Sequence, residues 1–266
     1  MTCRSILDFY HSYSDYDKCF LFFTIIGLLF LMTTPGFAQQ SSDLAQNNVP
    51  DIPEDPFQAG LHYFALADYD EAIVYFRRSI EQNPEHIDSY YYLGFCYIYK
   101  GNEEYRNKKI RSAYNHYQTA YDISDNVIDL VKEKITKEGP SYEEYFRLGY
   151  IHEIRSSVPM VKEYDLAQEY YEKALEFAQP YLKGTVYLRI ALLWYNQHKY
   201  EQAIKYLEEG YNITPKDLNL LYYLGLSYEK LNNKEKAIHY YSELIHIAPD
   251  TGLASMAQEA INKLEK

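Results

Sequence analysis

LYYLGLSYEKLNNKEKAIHYYSELIHIAP, residues 221–249, carries a residue spacing that returns twice more along this chain. Gly225 is followed by Tyr228 three residues later, by Ala237 twelve later and by Tyr241 sixteen later, and Pro249 closes the segment. The other two copies are Gly60, Tyr63, Ala72, Phe76 and Pro84, and Ala191, Trp194, Ala203, Leu207 and Pro215. The second and third copies along the chain are offset by 34 residues, which indicates an array of structural repeats.

This spacing predicts pairs of antiparallel helices. Small residues such as Gly60 and Ala72 let two helices approach closely, and the bulky Tyr63 and Phe76 fill the space around them. The proline ends the second helix, because it cannot continue an α-helix. The pattern resembles the tetratricopeptide repeat family over roughly residues 55–249. The resemblance implies an all-α, right-handed superhelical solenoid of about five helical hairpins.

The repeats divide the chain into four parts. An N-terminal targeting segment spans residues 1–38, and a flexible linker, polar and containing Pro50 and Pro53, spans residues 39–55. The array of five hairpins spans residues 56–250. Residues 251–266 place apolar side chains at helical spacing with polar ones between, as in a helix that caps the exposed end of a repeat array.

The second and third hairpins are enlarged. With Gly94 as the small residue of the second hairpin, the expected alanine arrives as Ala113, seven residues late. Seven residues are about two helical turns, so the insertion can lengthen a helix without rotating its apolar face. Apolar residues keep helical spacing as far as Gly139. The second hairpin is therefore built either of extended helices or with an additional short helix over residues 126–138.

The N-terminus has the features of a secretory signal. Residues 19–32 are predominantly apolar, and Gly36 and Ala38 supply small residues where a signal peptidase cleaves. We expect cleavage after Ala38 and export to the periplasm or the extracellular space. The alternative is an uncleaved signal anchor that holds the chain to the membrane by residues 19–34. After cleavage, Cys96 is the only cysteine of the mature chain. Its helical, aromatic sequence neighbourhood predicts that its thiol is buried.

The overall charge argues against nucleic acid as a partner. The formal net charge is −12, and a surface this acidic repels phosphate backbones. The same charge is equally typical of a soluble protein with no charged ligand. The 32 tyrosines indicate aromatic packing between helices.

The family resemblance predicts where a ligand would lie. In tetratricopeptide arrays the first helix of each hairpin lines a concave wall. The resemblance therefore implies a groove for an apolar or amphipathic peptide segment. In that groove, Arg147 and Arg189 would pair with an acidic group of the ligand. The alternative is that a tightly wound array buries this face. The predicted peptide-binding residues are Phe57, Leu61, Phe64, Tyr91, Phe95, Ile98, Phe146, Arg147, Tyr150, Leu188, Arg189, Leu192, Tyr195, Tyr222 and Leu226.

The sequence contains no recognisable catalytic, cofactor or metal motif. His152 and Glu153 are followed by Ser156 where a zinc-peptidase helix needs its second histidine. Phe57 and Leu61 occupy the positions at which chaperone-binding relatives carry a carboxylate clamp, which disfavours a ligand read by its C-terminal carboxylate. We therefore expect a non-enzymatic protein-binding adaptor or scaffold with no cofactor. The alternative is a structural envelope module that self-associates into homo-oligomers and has no dedicated peptide ligand.

Overall fold

The computed structural model describes residues 52–157 and 162–266. The predicted signal, residues 1–38, and most of the predicted linker lie outside these ranges. The chain divides into two compact units, one ending at Gln82 and one beginning at Asn83. In the first unit, helix α1 spans Pro56–Ala65 and helix α2 spans Tyr69–Gln82.

The second unit contains the remaining helices of the described chain. They are α3 (Ile87–Arg106), α4 (Ile110–Glu138), α5 (Tyr142–Ser157), α6 (Tyr164–Phe177), α7 (Pro180–Asn196), α8 (Tyr200–Ile213), α9 (Leu218–Lys230), α10 (Lys234–Ile247) and α11 (Gly252–Leu264). Each odd-numbered helix from α3 to α9 pairs with the next, and α11 packs on α10. The predicted all-α architecture of consecutive hairpins is confirmed, and the described residues contain no strand.

Polar residues at the helix starts fix several boundaries. The carboxylate of Asp55 accepts a hydrogen bond from the backbone N–H of Gln58 at 2.9 Å, and Pro56 opens α1. Asp217 accepts from the first turn of α9 in the same way, and the Thr251 hydroxyl accepts from Ala254 at the start of α11. These side chains satisfy backbone donors that the helix itself leaves without a partner.

Four hairpin turns share one backbone geometry. In each, one residue has a left-handed conformation with φ near 60°, and the following residue returns a backbone hydrogen bond to the first helix. The left-handed residue falls seven positions after the small residue of the repeat. These residues are Ala67 after Gly60, Lys108 after Gly101, His198 after Ala191 and Asn232 after Gly225. The turn geometry therefore gives the register of each repeat independently of its sequence match.

This register corrects the alignment of the second hairpin. The repeat position predicted for Gly94 belongs to Gly101, which lies twelve residues before Ala113 and packs against Tyr117. The two extra turns therefore precede Gly101 within α3. Both glycines lie on nearly the same helix face, because a shift of seven residues rotates a helix face by only about 20°, but only Gly101 keeps the twelve-residue spacing to Ala113.

The second hairpin is built of extended helices. Helix α3 has 20 residues, seven more than α9, which corresponds to about 10 Å of additional length. Helix α4 continues for 29 residues to Glu138, so residues 126–138 form part of one long helix and no separate short helix is present there. Gly139, with φ of 91°, ends it.

Two fully buried tyrosines of the repeats, Tyr171 and Tyr241, have hydroxyl partners on the facing helix. The Tyr241 hydroxyl donates to Glu229 at 2.9 Å, and the Tyr171 hydroxyl donates to Glu153. In both hairpins the glutamate lies four residues after the repeat glycine. A fully buried tyrosine needs such a partner, because an unpaired hydroxyl in an apolar interior is costly.

Two further features bear on the predictions. Cys96 is buried, as its sequence neighbourhood predicted. Among the helices of residues 52–157 and 162–266, none combines the length and the hydropathy that crossing a bilayer requires.

Candidate functional site

An apolar cleft lies in the second unit, between the two helices of the second hairpin and the first helix of the third. It encloses about 410 Å³, including space that is open to solvent. Its lining comes from Tyr90, Tyr91, Gly94, Phe95 and Ile98 of α3, from Ala120, Tyr121, Ile123, Ser124 and Val127 of α4, and from Ile151, Ile154 and Arg155 of α5. Concave sites with a mostly apolar lining are typical of ligand binding.

The cleft exists because α3 contains two glycines and α4 fills the space beside only one of them. A Cβ atom added at Gly101 would lie 2.6 Å from the Tyr117 ring, so the ring occupies the space that this glycine leaves. A Cβ atom added at Gly94 would find Ile123 no closer than 3.7 Å and no ring within 4 Å. The position beside Gly94 therefore lacks the aromatic side chain that fills the corresponding space in the repeats.

Two aromatic residues of the cleft lining, Tyr91 and Phe95, pack against Tyr150 of α5. The ring centroids of Tyr91 and Phe95 are 4.7 Å apart, and Tyr150 lies 5.6 Å from Tyr91 and 5.8 Å from Phe95. All three are half-buried, and burial raises the pKa of the Tyr91 hydroxyl well above its ordinary value, so it remains a neutral hydrogen-bond donor. The three residues lie together, as their helix positions predicted, and their binding role stays a prediction.

A charged residue marks the polar edge of the cleft. The Arg155 guanidinium lies 4.3 Å from the centre of the Tyr121 ring and donates to Asp125 at 2.8 Å. Its Nε atom lies 3.6 Å from Glu163. Arg155 is therefore held by acidic residues of the chain, and the cleft interior remains apolar.

Other predicted groove residues of the second unit are more deeply covered. Leu188, Arg189, Leu192, Tyr195 and Tyr222 are buried, with at most 7% of their surface exposed. Ile98 is buried at the edge of the cleft, and Leu226 and Phe146 are half-buried. Phe146 packs on Tyr171, with ring centroids 5.3 Å apart. This burial agrees with the alternative that winding of the array covers part of the face.

Both arginines predicted to pair an acidic ligand have acidic partners within the protein. Arg147 forms an ion pair with Asp88, which joins α5 to α3. Arg189 lies 4.6 Å from the centre of the Tyr150 ring and 3.4 Å from Glu153. These ion pairs therefore join neighbouring helices, and both guanidiniums already contact an acidic group of the protein.

The Arg189 ion pair is deeply buried. The side chains of Arg189 and Glu153 are 5% and 6% exposed, and Glu153 also accepts from Tyr171. Burial alone would lower the pKa of the guanidinium, but Glu153 and the neighbouring tyrosines Tyr150, Tyr171 and Tyr91 together outweigh burial and raise that pKa. Arg189 is therefore charged at any physiological pH, and its positive charge favours an ionised Glu153 beside it.

Phe57, Leu61 and Phe64, the predicted groove residues of the first unit, are half-buried. The Phe57 ring centroid lies 5.9 Å from that of Phe76, and the Phe64 centroid lies 5.8 Å from that of Tyr69. These rings contribute to the packing of α1 on α2.

His152 of α5 is buried and contacts α6 and the residue that precedes it. The His152 ring stacks on Tyr170 at 5.4 Å, and its Nδ1 atom lies 2.6 Å from a carboxylate oxygen of Glu163. Burial lowers the pKa of His152, and with the nearby positive charges of Arg155 and Lys132 it outweighs the opposing effect of Glu163. The folded state therefore binds a proton on His152 more weakly than the unfolded chain does, and protonation favours unfolding.

We expect His152→Gln to flatten the pH dependence of stability. The stabilising contribution of neutral His152 is fully present above the unfolded-state pKa of about 6.5 and is lost as the pH falls below it. Chemical denaturation at several pH values should show wild-type protein losing more stability on acidification than the variant. Parallel pH profiles would contradict this assignment.

The sequence did not predict that α4 lines the cleft, nor that Ile151, Ile154 and Arg155 of α5 do. It assigned ligand contacts to first helices only, whereas Ala120, Ile123 and Val127 lie on a second helix. The available signal was the pair of glycines seven residues apart, Gly94 and Gly101, of which only Gly101 lies sixteen residues before an aromatic residue, Tyr117. In the described parts of the chain, no group of three or more histidine, cysteine, aspartate or glutamate side chains is arranged to hold a metal ion.

Comparison with known proteins identifies the repeats. Models of the tetratricopeptide repeat match residues 57–86, 75–120, 161–181, 184–217 and 219–251, together more than half of the chain. Among curated relatives, the BBSome complex member BBS4 homolog of Drosophila melanogaster is 22% identical over 182 residues, covering 66% of this chain and 33% of that protein. Anaphase-promoting complex subunit 3 of Schizosaccharomyces pombe is 23% identical over 183 residues, covering 69% of this chain and 23% of that protein. The chain thus spans a third or less of the length of these relatives.

Solved structures show the same fold at low sequence identity. A tetratricopeptide repeat protein from Parabacteroides merdae has a TM-score of 0.53 and 13% identity, covering 79% of this chain and 70% of its own. The thermophilic protein TTC0263 of Thermus thermophilus has a TM-score of 0.52 and 16% identity, covering 77% of this chain and 97% of its own. Proteins with this repeat are generally protein-interaction scaffolds and typically non-catalytic. The repeat matches, the hairpin architecture and these structural likenesses together establish that the chain belongs to the tetratricopeptide repeat family.

Proposed function

We propose that this chain is an exported protein-binding scaffold that holds an apolar or amphipathic peptide segment of a partner. The family supports a role in protein interaction, and the apolar segment at residues 19–32 supports export. The binding element is the cleft between α3, α4 and α5. One observation carries the proposal: the space beside Gly94 lacks the ring that fills the equivalent space at Gly101.

The chemistry of the cleft defines the segment it accepts. Ile123, Ile151 and Ile154 offer aliphatic contacts, and Tyr91 and Phe95 offer aromatic ones. A leucine, phenylalanine or tyrosine side chain entering beside Gly94 would gain the apolar burial that anchors protein interfaces. Because Arg147, Arg155 and Arg189 already contact acidic residues of the chain, the ligand needs no acidic group.

Filling the cleft tests the proposal directly. We expect Gly94→Leu to abolish partner binding, because the new side chain would occupy the space that the partner's anchor needs. The measurement is photocrosslinking in the native envelope, with a benzoylphenylalanine introduced at Phe95 and the crosslinked segment identified by mass spectrometry. Loss of the crosslink in Gly94→Leu and an apolar residue at the crosslinked position are the expected results.

Asn126→Leu is the matched control. Asn126 is exposed on α4, so this variant adds the same apolar side chain outside the cleft and should retain the crosslink. Circular dichroism of both variants checks that the helices persist. A crosslink that survives in Gly94→Leu would reject the cleft as the binding element. A crosslink only to a second copy of this chain would instead favour the self-associating module.

A further inference from the structure

The tip of the second hairpin, residues 103–114, has a charge opposite to that of the whole chain. It contains four basic residues, Arg106, Lys108, Lys109 and Arg111, and two acidic ones, Glu103 and Glu104. Lys109 pairs with Glu104 at 3.3 Å while its side chain remains 62% exposed. Within the described residues, Lys108 and Arg111 are exposed and have no acidic partner. The tip is therefore a local positive surface on a protein with a net charge of −12.

The same tip exposes large apolar side chains. Tyr105 is 49% exposed, Ile110 is 57% exposed and Tyr114 is 56% exposed. Ile110 and Tyr114 are four residues apart on α4 and share one helix face. Few other large apolar residues of the described chain are as exposed, so basic and apolar groups coincide at this turn.

The tip is held in a defined shape. Lys108 has the left-handed conformation of the shared turn, and the Lys109 N–H donates to the Glu104 carbonyl at 2.9 Å. Below the turn, the Tyr117 ring packs on Gly101, and its hydroxyl donates to Asn102 at 2.6 Å. Because α3 is seven residues longer than α9, this basic and aromatic turn ends an unusually long hairpin.

We propose that the tip of the second hairpin docks on the surface of an anionic phospholipid bilayer. Basic side chains attract acidic headgroups, and tyrosines favour the boundary between headgroups and acyl chains. A bilayer offers an anionic surface and an apolar boundary side by side, so it can receive the basic and the apolar side chains of the tip together. The acidic remainder of the chain is repelled by the same surface, which orients the tip toward the membrane.

Vesicle binding of the full-length chain tests this proposal. Phosphatidylcholine vesicles with and without phosphatidylglycerol measure the preference for anionic lipid. We expect Lys108→Glu/Lys109→Glu/Arg111→Glu to weaken binding to the anionic vesicles by about tenfold or more, because each basic residue near the surface contributes to attraction. The control Lys205→Glu/Lys216→Glu/Lys230→Glu changes the net charge equally at exposed positions elsewhere and should retain the preference.

Hydrogen exchange locates the contact and separates it from any binding by the N-terminal apolar segment. Anionic vesicles should protect backbone amides of residues 103–114 in the wild type and in the control, but not in the charge-reversed tip. Equal loss of binding in both variants, or vesicle binding without protection of the tip, would overturn the proposal. Protection of the tip by polyglutamate or by an oligonucleotide, but not by vesicles, would show that it recognises an acidic macromolecule and would also reject the membrane assignment.

Discussion

Arg189→Met is expected to destabilise the second unit by about 3–5 kcal/mol, the usual cost of removing one partner of a buried ion pair. The reason is the carboxylate that remains. Glu153 and Arg189 are buried, and Arg189 supplies the positive charge that compensates Glu153. Methionine preserves most of the apolar volume of the arginine stem but cannot pair with a charge. Chemical denaturation followed by helical circular dichroism measures the loss.

The pH dependence of this loss identifies its cause. Burial raises the pKa of the Glu153 carboxyl, and in the wild type the charge of Arg189 and the Tyr171 hydroxyl oppose that effect. Without Arg189, the folded-state pKa rises further above the unfolded value, so the folded state favours the protonated acid. The deficit of Arg189→Met relative to wild type should therefore be larger at about pH 8 than at about pH 5.

Two further variants separate charge from packing. Arg189→Met/Glu153→Met/Tyr171→Phe removes both charges and the hydroxyl together, and it should recover much of the lost stability, because uncharged replacements of buried ion pairs are often tolerated. Lys173→Met breaks the exposed Lys173–Glu169 pair and should cost no more than about 0.5 kcal/mol. An Arg189→Met cost that equals the Lys173→Met cost, or one that is independent of pH, would contradict the buried-pair interpretation.

Arg189 also illustrates how far sequence predicts this protein. Repeat spacing was sufficient to predict the helical hairpins and the helix face that carries Arg189, because period and small-residue positions are local properties. It could not show that Glu153, from the preceding hairpin, lies opposite and pairs with the guanidinium. A helix face is visible in sequence, whereas the depth at which a neighbouring hairpin covers that face depends on packing of the whole unit.

The second hairpin shows the same limit for the candidate site. Gly94 and Gly101 lie on nearly the same face of α3, and only Gly101 keeps the spacing of twelve residues to Ala113 and sixteen to Tyr117. The structure agrees with that spacing, because the ring of Tyr117 packs against Gly101 in a tertiary contact between α3 and α4. The cleft beside Gly94 follows from that contact, and for this reason the sequence predicted the α3 wall but not the α4 wall.

Gly101→Ala and Gly94→Ala should change stability in opposite directions. At Gly101 the new Cβ atom would lie 2.6 Å from the Tyr117 ring, which is anchored by its hydroxyl to Asn102. Overpacking of this kind costs about 1–3 kcal/mol and outweighs the gain in helix propensity, so we expect a net loss of about 1–2 kcal/mol. At Gly94 the new methyl group makes an ordinary contact with Ile123, and better helix propensity should stabilise the protein by about 0.5–1 kcal/mol.

The pair of variants also tests the register of the second hairpin. If the ring of Tyr117 lay beside Gly94 and not beside Gly101, Gly94→Ala would be the destabilising change and Gly101→Ala the stabilising one. Denaturation midpoints of both variants, measured beside wild type, give the comparison. Gly101→Ala/Tyr117→Leu is the matched control, because a smaller side chain at Tyr117 makes room for the Cβ atom and the alanine should then cost less than it does beside the tyrosine. If Gly94→Ala is instead the destabilising change, the space beside Gly94 is filled in solution, and the cleft proposed to receive a partner's apolar side chain would be closed.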